Sequence, residues 1–216
     1  MKNITNILSQ NPVIPIAVIN KIQDGLKLAT ILIREELPIR EVTVRSKEAS
    51  DILKAIKDHY PDLTVGAGTV LNAAQAKIAY TSSADFLVAP GCNPRTIQTA
   101  QDLGMDIIPG ANNPTAIEMA LNYNVKLLKF FPAELSGGPA MIKALTAPYQ
   151  DIEFIPTGGL NDVNFKQYLA LDRVPACGMS WMVEQTLIES GNWDEVTRRV
   201  RLIKNSLSNR HISRAR

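Results

Sequence analysis

The 216-residue chain is short of the residues on which most metal, redox and disulfide chemistry depends: it has two cysteines, Cys92 and Cys177, and two histidines, His59 and His211. Neither pair has metal-ligand spacing, so a histidine-based zinc site or a Ser-His-Asp arrangement is not expected. Long apolar runs are missing too. Nothing approaches the roughly 18 to 20 residues needed to cross a bilayer, and the start, MKNITNILSQ, lacks a basic segment followed by an apolar one. The expectation is a cytoplasmic protein with no membrane partner. There is no excess of one charge either: 23 Lys+Arg face 21 Asp+Glu, a formal +2. That remainder is unevenly placed. From Arg198 onward there are seven basic residues and no acidic ones, which leaves sixteen basic against twenty-one acidic, about −5, over residues 1–197. The basic end is short and has no interleaved aromatics, so a solvated, partly frayed last helix, with a tail from about residue 205 to 216, is expected rather than a nucleic-acid-binding arm.

What is present is a globular composition, 45% hydrophobic and 20% charged, and a length that suits one domain over 1–216. Short β-rich runs recur: VIPIAVI (13–19), REVTVR (40–45), LTVGAGT (63–69), DFLVAPG (85–91), DIIPGA (106–111), LLKFFPA (127–133), EFIPTGG (153–159) and VPACGMSW (174–181). Their starts lie 21 to 27 residues apart, room for a crossover helix and two turns, as parallel pairing requires. KEASDILKAIKDHY (47–60) carries Ile52, Leu53 and Ile56 at helical spacing, and NDVNFKQYLALD (161–172) opens with a capping residue. Eight strands alternating with helices predict an α/β fold, a closed (β/α)8 TIM barrel, with residues 1–12 as a lead-in helix at its bottom. An open dinucleotide-binding sheet would show G-x-G-x-x-G after the first strand, and VIPIAVINKIQDG has none.

Alternate side chains of a barrel strand point inward, which tests each polar residue. In REVTVR, Glu41, Thr43 and Arg45 share one parity and Val42 and Val44 the other, so the polar set faces the interior if the valines meet the helices. Buried charges are costly without partners or a ligand; a Glu41–Arg45 ion network is the structural alternative to a site. In LLKFFPA, Lys129 shares a face with Leu127 and Phe131. Burial strips solvation from an ammonium and favours the free amine that a Schiff-base nucleophile needs. The alternative is a lysine that serves as the ion partner of Glu41.

Two glycine-bearing strand ends, PTGG (156–159) and CGMS (177–180), close the seventh and eighth strands, where barrels bind phosphate through backbone N–H groups. Glycine lets backbone approach an anion closely, and Ser180 adds a hydroxyl. GAGT (66–69) would bring Thr69 to the same face.

EVTVR, VGAGTVL, APG, IPG, KFFPAE, PTGG and GMSW, in this order, resemble the bacterial 2-keto-3-deoxy-6-phosphogluconate (KDPG) and 4-hydroxy-2-oxoglutarate aldolase family over about residues 10–200. The resemblance implies a class I aldolase on a (β/α)8 barrel, a homotrimer with no cofactor or metal. Such enzymes act on a phosphorylated 2-keto acid, splitting KDPG into pyruvate and glyceraldehyde 3-phosphate, and often 4-hydroxy-2-oxoglutarate into pyruvate and glyoxylate. It further implies Lys129 as the Schiff-base residue and Glu41 as the general acid/base. Arg45 would hold the pyruvate carboxylate with Thr69 beside it, and Thr157 would contact substrate hydroxyls. Pro90 and Phe131 would line the site, and Gly158, Gly159, Gly178 and Ser180 would take the phosphate. One departure stands out: members commonly read G-G-S-W where this chain has Gly178-Met179-Ser180-Trp181, and a side chain at Met179 either narrows the phosphate pocket or points into the helix layer.

The competing readings are a phosphosugar isomerase or epimerase on the same barrel, and a non-catalytic protein whose basic C-terminus contacts nucleic acid. The first requires turnover without Lys129. The second requires the basic residues after position 197 to be available to phosphates.

Overall fold

A computed structural model describes residues 4–43 and 47–208. A lead-in helix α1 (Ile4–Gln10) precedes eight strand–helix repeats. These are β1 (Val13–Ala17), α2 (Ile22–Arg34), β2 (Ile39–Thr43), α3 (Lys47–His59), β3 (Thr64–Gly68), α4 (Ala73–Thr81), β4 (Phe86–Val88) and α5 (Pro94–Asp102), followed by β5 (Asp106–Ile108), α6 (Pro114–Leu121), β6 (Leu127–Phe130), α7 (Gly138–Thr146), β7 (Glu153–Pro156), α8 (Phe165–Leu169) and β8 (Cys177–Met179). After a 3-10 turn at Trp181–Val183 come α9 (Gln185–Glu189) and α10 (Trp193–Ser208). Helix starts follow local chemistry. Asn72, Asn93 and Asn113 each accept a backbone N–H of the first turn, and Pro94 and Pro114 occupy the first helical position, where a missing N–H costs nothing.

The strand pairs are parallel, as the spacing of the runs requires, but the expected closed eight-stranded barrel is not formed. One six-stranded sheet runs β5-β4-β3-β2-β1-β8, and β6 and β7 make a separate two-stranded sheet. The architecture is α/β with a curled half-barrel. Single bridges, Gly110↔Lys129 and Thr157↔Gly178, are the ladder pairings at the two seams. The seams fail for a local reason: Pro109 and Pro156, at the ends of β5 and β7, have no N–H to extend a ladder.

The parity argument is visible in two apolar layers. Val13, Val42, Val65, Leu87, Leu128 and Phe154 face outward and pack with the helices. Ile14, Ile39, Phe86, Val88, Ile108, Leu127 and Ile155 form a smaller inner cluster, into which α1 inserts Ile4 and Leu8. Ile39, Phe86 and Leu127 open their strands, so α1 packs at the strand N-termini, and fully buried Leu8 contributes about 1.5–3 kcal/mol.

Arg40 breaks the outer pattern. It has no exposed surface, and its Nη1 donates to the Gly25 carbonyl at 3.1 Å, while Nε and Nη2 have no hydrogen-bond partner among the described residues. Burial lowers its guanidinium pKa to about 9, against a small opposing effect of Tyr60.

Candidate active site

The inward parity of β2 and β6 brings two charged side chains together. Lys129 is the third residue of β6, between Leu128 and Phe130 of the outer layer; Glu41 is the third residue of β2 and pairs with Ile16 and Gly66 on the adjacent strands. Lys129 Nζ lies 3.5 Å from Glu41 Oε1, with the two residues 7% and 3% exposed. A tight ammonium–carboxylate hydrogen bond is about 2.7–2.9 Å, so this pair is in contact without being locked.

Around the pair is a void of about 10 Å³ lined by Ile14, Glu41, Val88, Ile108, Lys129, Ile155, Thr157 and Gly178, space for about one water-sized group. Its walls are apolar except for the ammonium, the carboxylate and the hydroxyl of buried Thr157. Lys129 Nζ is also 5.5 Å from the centroid of the Phe131 ring, within cation–π range.

Glycines make this space. A Cβ at Gly68 would overlap the Glu41 carboxylate, and one at Gly178 would come within 2.5 Å of Thr157 Oγ1 and 2.8 Å of Ile16 Cδ1. Gly68 was not singled out as a site residue in the sequence. The signal was there: within GAG it shares the inward parity of Gly66, the residue that pairs with Glu41, and itself pairs with Thr43.

The other anticipated positions lie at or just past the C-terminal ends of strands. Thr69 follows β3 and Pro90 stands two residues beyond β4, both half-buried; Phe131 follows β6 and is 39% exposed. Thr157 follows β7, and Gly158 and Gly159 continue it with φ of +100° and +83°, a region open to glycine. Gly178 is inside β8, and exposed Ser180 follows it. Arg45 lies outside the described residues, as do 209–216 of the basic tail. Met179 is 1% exposed and packs in the outer layer with Cys177, Met182 and Val183, so its side chain leaves the inner space free.

Among the described residues no three of His, Cys, Asp and Glu converge as a metal-ligating group, and no helix is long and apolar enough to cross a membrane. The basic residues of α10 meet carboxylates of the protein itself. Arg201 pairs with Glu35 at 2.7 Å, Lys204 with Glu36 at 3.2 Å, Arg198 with Glu195, and Arg199 with both Glu195 and Glu184. This face is not a row of unengaged cations awaiting a nucleic-acid backbone.

Comparison with known proteins bears directly on this geometry. The sequence profile described as Aldolase, KDPG and KHG aldolase, matches residues 4–199. The 2-dehydro-3-deoxy-phosphogluconate aldolase of Haemophilus influenzae is 45% identical over 194 residues, covering 90% of this chain and 92% of that protein. Among solved structures, the KDPG aldolase of Legionella pneumophila, with pyruvate captured at low pH as a covalent carbinolamine intermediate, superposes with a TM-score of 0.87. It is 32% identical over 91% of this chain and 96% of that one. The KDPG aldolase of Zymomonas mobilis ZM4 with 3-phosphoglycerate gives 0.84 at 29% identity, over 94% and 95% of the two chains. This chain is a lyase of the class I, Schiff-base aldolase type. It belongs to the KDPG and KHG aldolase family.

Proposed function

We propose that Lys129 and Glu41 are the reacting pair of a class I aldolase that splits KDPG into pyruvate and glyceraldehyde 3-phosphate, with 4-hydroxy-2-oxoglutarate as a second substrate. The observation that carries this reading is the 3.5 Å approach of two otherwise buried, oppositely charged side chains beside a void. Transfer of a proton from Lys129 to Glu41 leaves a neutral amine, which attacks C2 of the 2-keto acid and forms a carbinolamine. Glu41 gives that proton to the carbinolamine hydroxyl, which leaves as water, so that the protonated imine forms and Glu41 is again a carboxylate. Glu41 then takes the C4 hydroxyl proton, the C3–C4 bond breaks, and the electron pair moves into the imine to give an enamine and the free aldehyde. Protonation of the enamine at C3, then hydrolysis, releases pyruvate and restores Lys129.

The remaining roles are those that the family resemblance implies. Arg45 holds the substrate carboxylate, with Thr69 beside it, because a guanidinium binds a planar carboxylate bidentately. Thr157, bordering the void, meets a substrate hydroxyl. Pro90 and Phe131 wall the imine from water. Gly158, Gly159, Gly178 and Ser180 form the phosphate corner, supported by the left-handed backbone at 158–159 and the exposed hydroxyl of Ser180. The enzyme acts in the cytoplasm as a homotrimer, in which exposed apolar side chains such as Leu71 and Ile78 would be covered.

Replacing Lys129 by alanine tests the reading. Cleavage of both substrates falls to background if it holds. Retained turnover in the Lys129→Ala protein would instead favour an isomerase or epimerase acting through Glu41 alone.

A further inference from the structure

Tyr168 is a fully buried tyrosine on α8, away from the Lys129–Glu41 pair, yet its hydroxyl donates to Oε1 of Glu134 in the loop that follows β6. Burial and this carboxylate both raise the phenol pKa above its ordinary value. Glu134 in turn lies against the phosphate corner. Its N–H donates to the Gly158 carbonyl at 3.2 Å, and that of Ala133 donates to the Thr157 carbonyl at 2.8 Å. A Cβ at Gly159 would come within 2.6 Å of Glu134 Cγ and 2.9 Å of its Cβ, and one at Gly158 within 3.3 Å of the Phe131 ring. The Gly158–Gly159 backbone therefore rests on Glu134 and Phe131, and Glu134 is tethered at its far end by Tyr168.

We propose that Tyr168 is a positioning residue for substrate phosphate: by holding Glu134 it fixes the backbone of Gly158 and Gly159 in the conformation a phosphate meets. The proposal rests on the phosphate corner described above. Two features make the pair more than a packing contact. A carboxylate beside an anion site repels the anion according to where it sits, and the buried hydroxyl fixes that place by donating to one of its oxygens. The loop joins the reacting lysine of β6 to the glycines after β7, so a shift of Glu134 reaches the phosphate end of the substrate before it reaches the amine.

The test is the ratio of KM for KDPG to KM for 4-hydroxy-2-oxoglutarate, which carries no phosphate. In Tyr168→Phe and in Glu134→Ala the ratio rises about tenfold, the effect of losing much of one charge-assisted hydrogen bond, and the rise is in KM rather than kcat. Glu134→Gln keeps an acceptor for the hydroxyl and holds the ratio within about twofold of wild type. Equal loss with both substrates, or no change in either variant, overturns the proposal, since general loosening of the fold affects both substrates alike. Ser180→Ala separates the two levels of the argument. A ratio that moves in Ser180→Ala but not in Tyr168→Phe removes the positioning role alone; a ratio that moves in neither removes the phosphate corner and the positioning role together.

Discussion

Glu41 and Lys129, 88 residues apart in the chain, meet with Oε1 and Nζ 3.5 Å apart on the inner face of the strands. Glu41→Gln keeps the shape and removes proton acceptance. Cleavage falls about 10²–10⁴-fold, the usual share of a positioned acid/base, and imine formation with pyruvate slows but survives. Steady-state cleavage and borohydride trapping on the same variant separate the two effects.

Gly68 leaves the volume that the Glu41 carboxylate occupies. Gly68→Ala therefore displaces the carboxylate without touching its chemistry, and kcat falls by an amount approaching that of Glu41→Gln. Stopped-flow cleavage measurements check this, with circular dichroism to verify that the fold is kept. Unaltered kcat would place the working position of Glu41 elsewhere.

Arg40 is a buried cation with two guanidinium nitrogens, Nε and Nη2, that have no hydrogen-bond partner among the described residues. Arg40→Met removes that burden and raises unfolding free energy by about 1–4 kcal/mol, the range seen when buried charge is replaced by well-packed apolar side chains. The pH dependence has a definite sign. Burial depresses the folded guanidinium pKa to about 9, so above that pH the unfolded state binds more protons and the wild type gains stability relative to the variant. Urea titrations of both proteins should show the largest gap near pH 7 and a narrowing gap from about pH 9 upward.

Met179 occupies the position where a glycine is common in the family pattern, and its side chain packs outward, 1% exposed, beside Cys177 and Met182. Met179→Ala therefore costs stability, about 2–5 kcal/mol for a buried methionine, and leaves the KM for KDPG within about twofold of wild type. A large change in that KM would mean that the side chain shapes the phosphate corner after all.

The inward faces of β2 and β6 were legible because a period-2 strand with valines on one side has nowhere else to put Glu41, and the same reasoning applied to Lys129 between Leu128 and Phe130. The outward packing of Met179 was one of two outcomes that parity allowed. Barrel closure was not legible: it depends on ladders between β5 and β6 and between β7 and β8, and pairing across a seam is limited by Pro109 and Pro156, whose effect depends on which neighbour they face. Arg40 was not legible because a strand reading assigns its parity to apolar residues, and a buried guanidinium leaves no trace in periodicity. The Tyr168–Glu134 contact joins two elements whose spacing in sequence carries no signal of their meeting.

The central claim is that Lys129 forms the imine. Incubation with pyruvate and sodium borohydride, followed by peptide mass mapping, measures it directly. A stable pyruvate-derived mass on the peptide carrying Lys129, absent from Lys129→Ala, is the expected result; a label on another lysine, or active protein that takes up none, would contradict it.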